Sequence, residues 1–272
     1  MNQLLLASEV IAARQFSLLY VILDTAFLAV LCVLLFVTKR RLTLLFGLFG
    51  GVLYFVVDYG IFHLLTGSRS ISFTNVAGEV GTSEALMFWI LLWMSMSYGI
   101  TNFVLLWVWM GKDRHMTEWT LLIFVWWICA PMISSSFGAD LGTVSIARTT
   151  GAYHGYMALI MLASYLAAIG YNLFQPQKEK RIPLLRLFFL GVSVQFAWEM
   201  ALLIGGIRSP GFGLAQIVNT FVVNSLLETN LGAVPIFAIY VGITANFTED
   251  AKKRPAVPFS DRVEEINLIK RK

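Results

Sequence analysis

Seven long apolar stretches joined by short polar connections constrain this chain more than any other feature. A bilayer core about 30 Å thick takes roughly 20 apolar residues per helix, and backbone inside hydrocarbon must satisfy its own hydrogen bonds. The stretches are therefore expected to be spanning helices, at about 16–37, 42–65, 85–110, 118–137, 151–173, 187–207 and 221–247. Composition points the same way. The 272 residues are 58% hydrophobic and 13% charged, with a mean hydropathy of +0.74, whereas soluble domains carry about 25% charged residues. A soluble globular protein is excluded. The first stretch has no basic run before it and no small-residue cleavage pattern after it, and Lys39, Arg40 and Arg41 follow it directly, so it reads as a retained first helix. The expectation is an all-α polytopic membrane protein of three regions. These are an amphipathic interfacial segment over 1–15, a seven-helix membrane domain over 16–247 and a basic tail over 248–272.

Basic residues give the orientation, because Lys and Arg are retained on the cytoplasmic side during insertion. Sixteen of the 20 fall in one set of connections and the tail, and only Arg14, Arg69, Arg148 and Arg208 fall in the other. This predicts the N-terminus outside and the C-terminus in the cytoplasm. The net charge of +4 then reflects topology, with the tail's basic residues beside anionic lipid headgroups, and no nucleic-acid partner is implied. Cys32 and Cys129 lie inside spans and read as apolar filler.

A faint internal repeat is visible. A shift of 141 positions lays Gly50 on Gly191, Phe55 on Phe196, Asp58 on Glu199 and Ser68 on Ser209. A shift of 143 lays Gly99-Ile100-Thr101 on Gly242-Ile243-Thr244. The implied layout is a parallel repeat of three helices, with the fourth as linker (3+1+3). Between the second and third spans, the connection from Thr66 to Ser83 holds a strand-like run, Ile71 to Val76, able to cover the outer mouth.

Ionisable side chains within a bilayer are costly, so each is a candidate for function. Asp24, Asp58, His63, Glu84, His154, Glu199 and Glu228 all fall at mid-depth or in the outer half of their spans. Positions four apart share a helix face. Tyr54 with Asp58, Gln195 with Glu199 and Asn224 with Glu228 each place a polar side chain one turn from a carboxylate. Converging faces would form an outward-facing cavity lined by carboxylates, with Phe55, Tyr59 and Trp198 among its aromatic walls. The competing reading is that these acids only pair with Arg148, Arg208, the histidines or one another to tie the bundle. That structural role is expected for Asp24, Glu84, His63 and His154, and a functional one for Asp58 and Glu199, which have no lysine or arginine in their own spans.

Missing residues exclude several classes. No lysine lies inside a span, which removes a retinal Schiff base. The three histidines, His63, His115 and His154, do not make a zinc site, and paired haem ligation by His63 and His154 is disfavoured; neither a metal nor a cofactor is expected. No phosphate-binding glycine loop is present. The only Pro-Gln is Pro176-Gln177, in a connection rather than in repeated helices as in the PQ-loop carriers.

The run Phe196-Ala197-Trp198-Glu199-Met200 resembles the NxxWE motif of the small integral-membrane terpene cyclases of meroterpenoid and indole-diterpene type, with Gln195 in place of the asparagine. The resemblance covers about five residues, and in that family the motif lies on an early helix. It implies that Glu199 is an acid catalyst, with Asp58 as partner carboxylate, acting on a lipophilic substrate in the bilayer. A carboxyl group in apolar surroundings can remain protonated, and aromatic faces stabilise positive charge by about 0.5–2 kcal/mol per ring. The alternative is a small-molecule transporter, proton-coupled through the same acids, with Pro131 and Pro235 as candidate helix breaks.

Overall fold

The computed structural model describes residues 12–148, 153–208 and 213–247, together with Asp261. Seven of its helical segments are long and apolar enough to cross a membrane. They comprise α1 (Leu18–Val37), α2 (Arg41–Phe55) continued by a π-helix (Val56–Leu65), α3 (Glu84–Met110), α4 (Met116–Phe137), α5 (His154–Phe174) and α6 (Leu184–Ile204). The seventh is broken. Helix α7 (Leu214–Leu227) stops at a turn over Glu228 and Thr229, and α8 (Asn230–Asn246) continues beyond it. The prolines expected to break helices do not: α4 runs through Pro131 and α8 through Pro235.

The chain is not all-α. Strands β1 (Ala12–Ser17), β2 (Arg69–Thr74), β3 (Val80–Gly81) and β4 (Thr143–Arg148) form one antiparallel sheet in the order β1-β4-β2-β3. Arg208, just past α6, bridges to Arg14 on the free side of β1. The last residues of the segment expected at the interface, 12–15, form part of β1, whose backbone is paired with β4; residues 1–11 and most of the tail lie outside the described residues. The sheet lies across the end of the bundle where α1 and α5 begin and where the α2 extension and α6 end. Its inner residues Phe16, Ile71, Val144 and Ile146 are buried in the core.

Helix α3 is the axis of the bundle, buried along most of its length. It meets α2 over a glycine contact. A Cβ on Gly99 would lie 2.6 Å from Gly51 Cα, and one on Gly50 would lie 2.2 Å from the Phe103 ring, so only glycine permits this approach. Small residues let helix backbones close up where lipid offers no hydrophobic drive. Beyond this contact, α2 widens into the π-helix, in which only Asp58 is buried. Stretches of this kind are frequent at functional sites because they re-aim side chains.

Candidate functional site

The three expected faces converge. Gln195, one turn before Glu199 on α6, donates from Nε2 to Glu228 Oε2 at 2.6 Å and lies 3.5 Å from Glu199 Oε1. Asn224 Nδ2 on α7 donates to the same Glu199 oxygen at 3.3 Å, and Thr229 Oγ1 donates to Gln195 Oε1 at 2.8 Å. The break between α7 and α8 thus puts Glu228 and Thr229 against α6. Glu228 also sits two residues before the first residue of α8, close to unpaired N–H groups that favour a negative charge. Across the bundle, Asp58 Oδ2 accepts from Tyr98 at 2.5 Å and from Ser95 at 3.4 Å. The Tyr54 ring packs edge-on to Tyr98 at 4.4 Å and neighbours Asn102, Thr229 and Glu228.

Guanidinium groups fill the space among these acids. Arg69 Nη2 on β2 donates to Asp58 Oδ1 at 2.7 Å. Arg208 Nε lies 2.9 Å from Glu199 Oε2, and Arg14 Nη2 lies 3.9 Å from Glu199 Oε1. The Arg208 contact is charge against charge, since the N–H is not aligned with that oxygen. Arg148 Nη2 on β4 reaches Glu228 Oε1 at 3.3 Å. All four arginines counted apart from the other sixteen are therefore turned into the bundle against its acids. Burial works against the Arg148 charge, but Glu228, Asp58 and Glu199 outweigh it and raise its pKa. Burial pulls Arg208 down to about 10 despite Glu199, and burial with the nearby Arg148 lowers Arg69 despite Asp58. Arg208 is still charged at neutral pH. Four guanidiniums face three carboxylates, leaving one excess positive charge in this network.

Trp198 connects the network to the rest of the bundle. Its buried ring stacks on Tyr98 at 6.1 Å and meets Trp127 of α4 edge-on at 5.1 Å. On the far side of Trp127, α4 and α6 part to leave a groove of about 720 Å³. Phe124, Trp127, Phe196, Ala197 and Ala201 are among its lining residues, and Arg186 lies at its opposite end from the sheet. Phe189, Phe196 and Ile204 beside it are exposed on the bundle's flank, so the groove opens sideways.

Phe55 and Tyr59 fall elsewhere. They stack on each other at 5.3 Å and pack edge-on to Phe88, with His63 beyond Tyr59 in a second aromatic cluster. His63 Nε2 lies 3.1 Å from the exposed Glu84, the structural pairing expected of both. Asp24 behaves differently from its expected pairing role: among the described residues no Lys, Arg or His lies within ion-pair distance of it. It is buried beside Trp93, Ser97 and Trp126.

Arg69 on Asp58 and Arg14 on Glu199 are the partners that sequence reasoning missed, whereas Arg148 and Arg208 were weighed as partners of the buried acids. The strand-like run from Ile71 to Val76 was the available signal for Arg69, since the strand starts at Arg69 itself and holds it at the bundle end. The chain matches no family model, no curated protein and no solved structure.

Proposed function

We propose that this is an intramembrane enzyme acting on a lipophilic substrate that enters sideways from the bilayer. The carrying observation is the apolar groove between α4 and α6, whose inner wall Trp127 abuts Trp198, itself one residue from Glu199 and stacked on the tyrosine that donates to Asp58. A substrate chain lying in the groove is separated from the charged network by two indole rings. Glu199 and Asp58 are the carboxylates of the reaction, an acid-initiated cyclisation or isomerisation of the kind the Trp198-Glu199 motif implies. The arginines balance both charges, so a developing cation in the groove is stabilised chiefly by aromatic faces, Trp127 in the groove wall with Trp198 and Tyr98 stacked behind it. Gln195 and Asn224 donate to Glu199, Glu228 anchors Gln195, and Tyr54 packs against the Tyr98 that donates to Asp58.

Membrane insertion with the sheet outside belongs to the same reading. The four arginines on the sheet side are engaged in ion pairs with the bundle's acids, and the other sixteen basic residues fall in the opposite connections and the tail, as retention on the cytoplasmic side requires. The 3+1+3 repeat is supported by the strand order: β1 pairs with β4, β4 with β2, and β1 with Arg208. The strand leading into each half thus pairs with the strand returning from the other. Each acid also pairs with an arginine that follows it closely, Arg69 eleven residues after Asp58 and Arg208 nine after Glu199.

A transporter is favoured by one observation, the interruption of the seventh segment at Glu228 and Thr229 beside Gln195, since discontinuous helices mark many transport sites. Native mass spectrometry of gently extracted protein separates the two. A copurified lipid or terpenoid supports the enzyme reading; a bound polar solute overturns it in favour of transport.

A further inference from the structure

Acid-initiated chemistry needs a carboxyl group that carries a proton, and Glu199, Asp58 and Glu228 are each held against a guanidinium. Asp24 is not. It is 2% exposed, on α1, and its Oδ2 has no hydrogen-bond partner. Tyr20 faces it from one turn earlier on its own helix, Trp93 and Ser97 from α3, and Trp126 from α4. No cation stands among these neighbours. A carboxylate removed from water without a counter-ion is so unfavourable that the group takes up a proton instead.

Room for solvent lies beside three of these neighbours. Arg14, Tyr20, Trp93, Ser97 and Trp198 bound a partly open space of about 10 Å³, the size of one water molecule, and Tyr20, Trp93 and Ser97 both border it and face Asp24. Ser97 Oγ, Trp93 Nε1 and Arg14 Nε all lack partners, as Asp24 Oδ2 does. Ser97 and Arg14 are at least nine-tenths buried. Buried unpaired polar atoms around a water-sized space are the setting in which an ordered water satisfies them.

We propose that Asp24 is a neutral carboxylic acid, a proton store inside the bundle whose neighbours Tyr20, Trp93 and Ser97 border a water-sized space also bounded by Arg14. The inference rests on the enzyme reading for its role, but the protonated state stands independently of it.

The test is infrared spectroscopy of the full chain in lipid at neutral pH, which needs no substrate. The expected result is a protonated-carboxyl C=O band, shifted in deuterated buffer, that disappears in Asp24→Asn and persists in Asp58→Asn. If Asp24→Asn does not fold, Asp24→Glu serves, and the band is expected to move in frequency without loss. A wild-type spectrum without such a band, or a band unchanged by replacement of Asp24, overturns the proposal. Failure of the enzyme reading appears separately, as a polar solute in native mass spectrometry with the infrared band intact.

Discussion

Arg69 lies 11 residues beyond Asp58, yet its Nη2 donates to Asp58 Oδ1 at 2.7 Å while its guanidinium rests over the Phe62 ring at 4.6 Å. The chain turns from the π-helix directly into β2 to make this contact. A buried ion pair gains little over a well-packed apolar pair, but breaking one leaves an uncompensated charge, at a cost of about 3–5 kcal/mol. Asp58→Asn and Arg69→Met are each expected to lower the melting temperature strongly, while the double variant recovers part of the loss. A double-mutant cycle in detergent or nanodiscs measures this; additive losses contradict the pairing.

Glu199 is held from two sides, by Arg14 and Arg208. Glu199→Gln therefore destabilises the fold as well as removing a charge from the chemistry, contrary to what an isolated catalytic acid would show. Combining it with Arg208→Gln is expected to restore part of the melting temperature, because only Arg14 then remains without its partner. Thermal unfolding of the single and double variants checks this.

The approach of α2 to α3 depends on Gly99, where an added Cβ would meet Gly51 Cα, Gly50 O and Gly51 N, all within 2.8 Å. Backbone atoms cannot rotate away. Gly99→Ala is expected to cost about 1–3 kcal/mol by overpacking. At Gly60, where nothing lies within 4 Å of the added carbon, alanine is expected to change little by comparison. Melting temperatures of the two variants side by side decide it.

The orientation is open to labelling. Cysteine placed at Val76, exposed in the connection before β3, is expected to react with an impermeant maleimide from outside intact cells, and cysteine at Lys178 only after lysis. The reverse pattern contradicts the assignment of the sheet to the outer face.

Helices were legible in the sequence because hydropathy over some 20 residues is a local signal, and the i, i+4 pairs were legible because helix geometry alone puts Gln195 beside Glu199. The sheet was half legible. Ile71 to Val76 read as a strand, but Ala12–Ser17 and Thr143–Arg148 gain strand structure from each other across more than a hundred residues, which no local pattern carries. The ion pairs fail to show for the same reason: Arg148 and Glu228 are 80 residues apart. Arg14 and Arg69 entered the sequence reading only as part of the minority in a topology count, while Arg148 and Arg208 were also weighed as partners of the acids; in the structure all four are engaged with carboxylates. The helix break at Glu228 escaped notice because no proline or glycine marks it, whereas Pro131 and Pro235 are accommodated within helices.

The central claim is that the groove between α4 and α6 receives a lipophilic molecule from the bilayer. Photolabelling in nanodiscs with a photoactivatable isoprenoid alcohol tests it directly, comparing the wild type with Ala197→Trp, which places an indole in the groove. The account predicts saturable labelling of peptides from Phe124–Ile128 and Val192–Ala201 in the wild type, largely lost in Ala197→Trp. Labelling that is unsaturable, spread evenly over the exposed faces of α1 and α5, and indifferent to Ala197→Trp would contradict it.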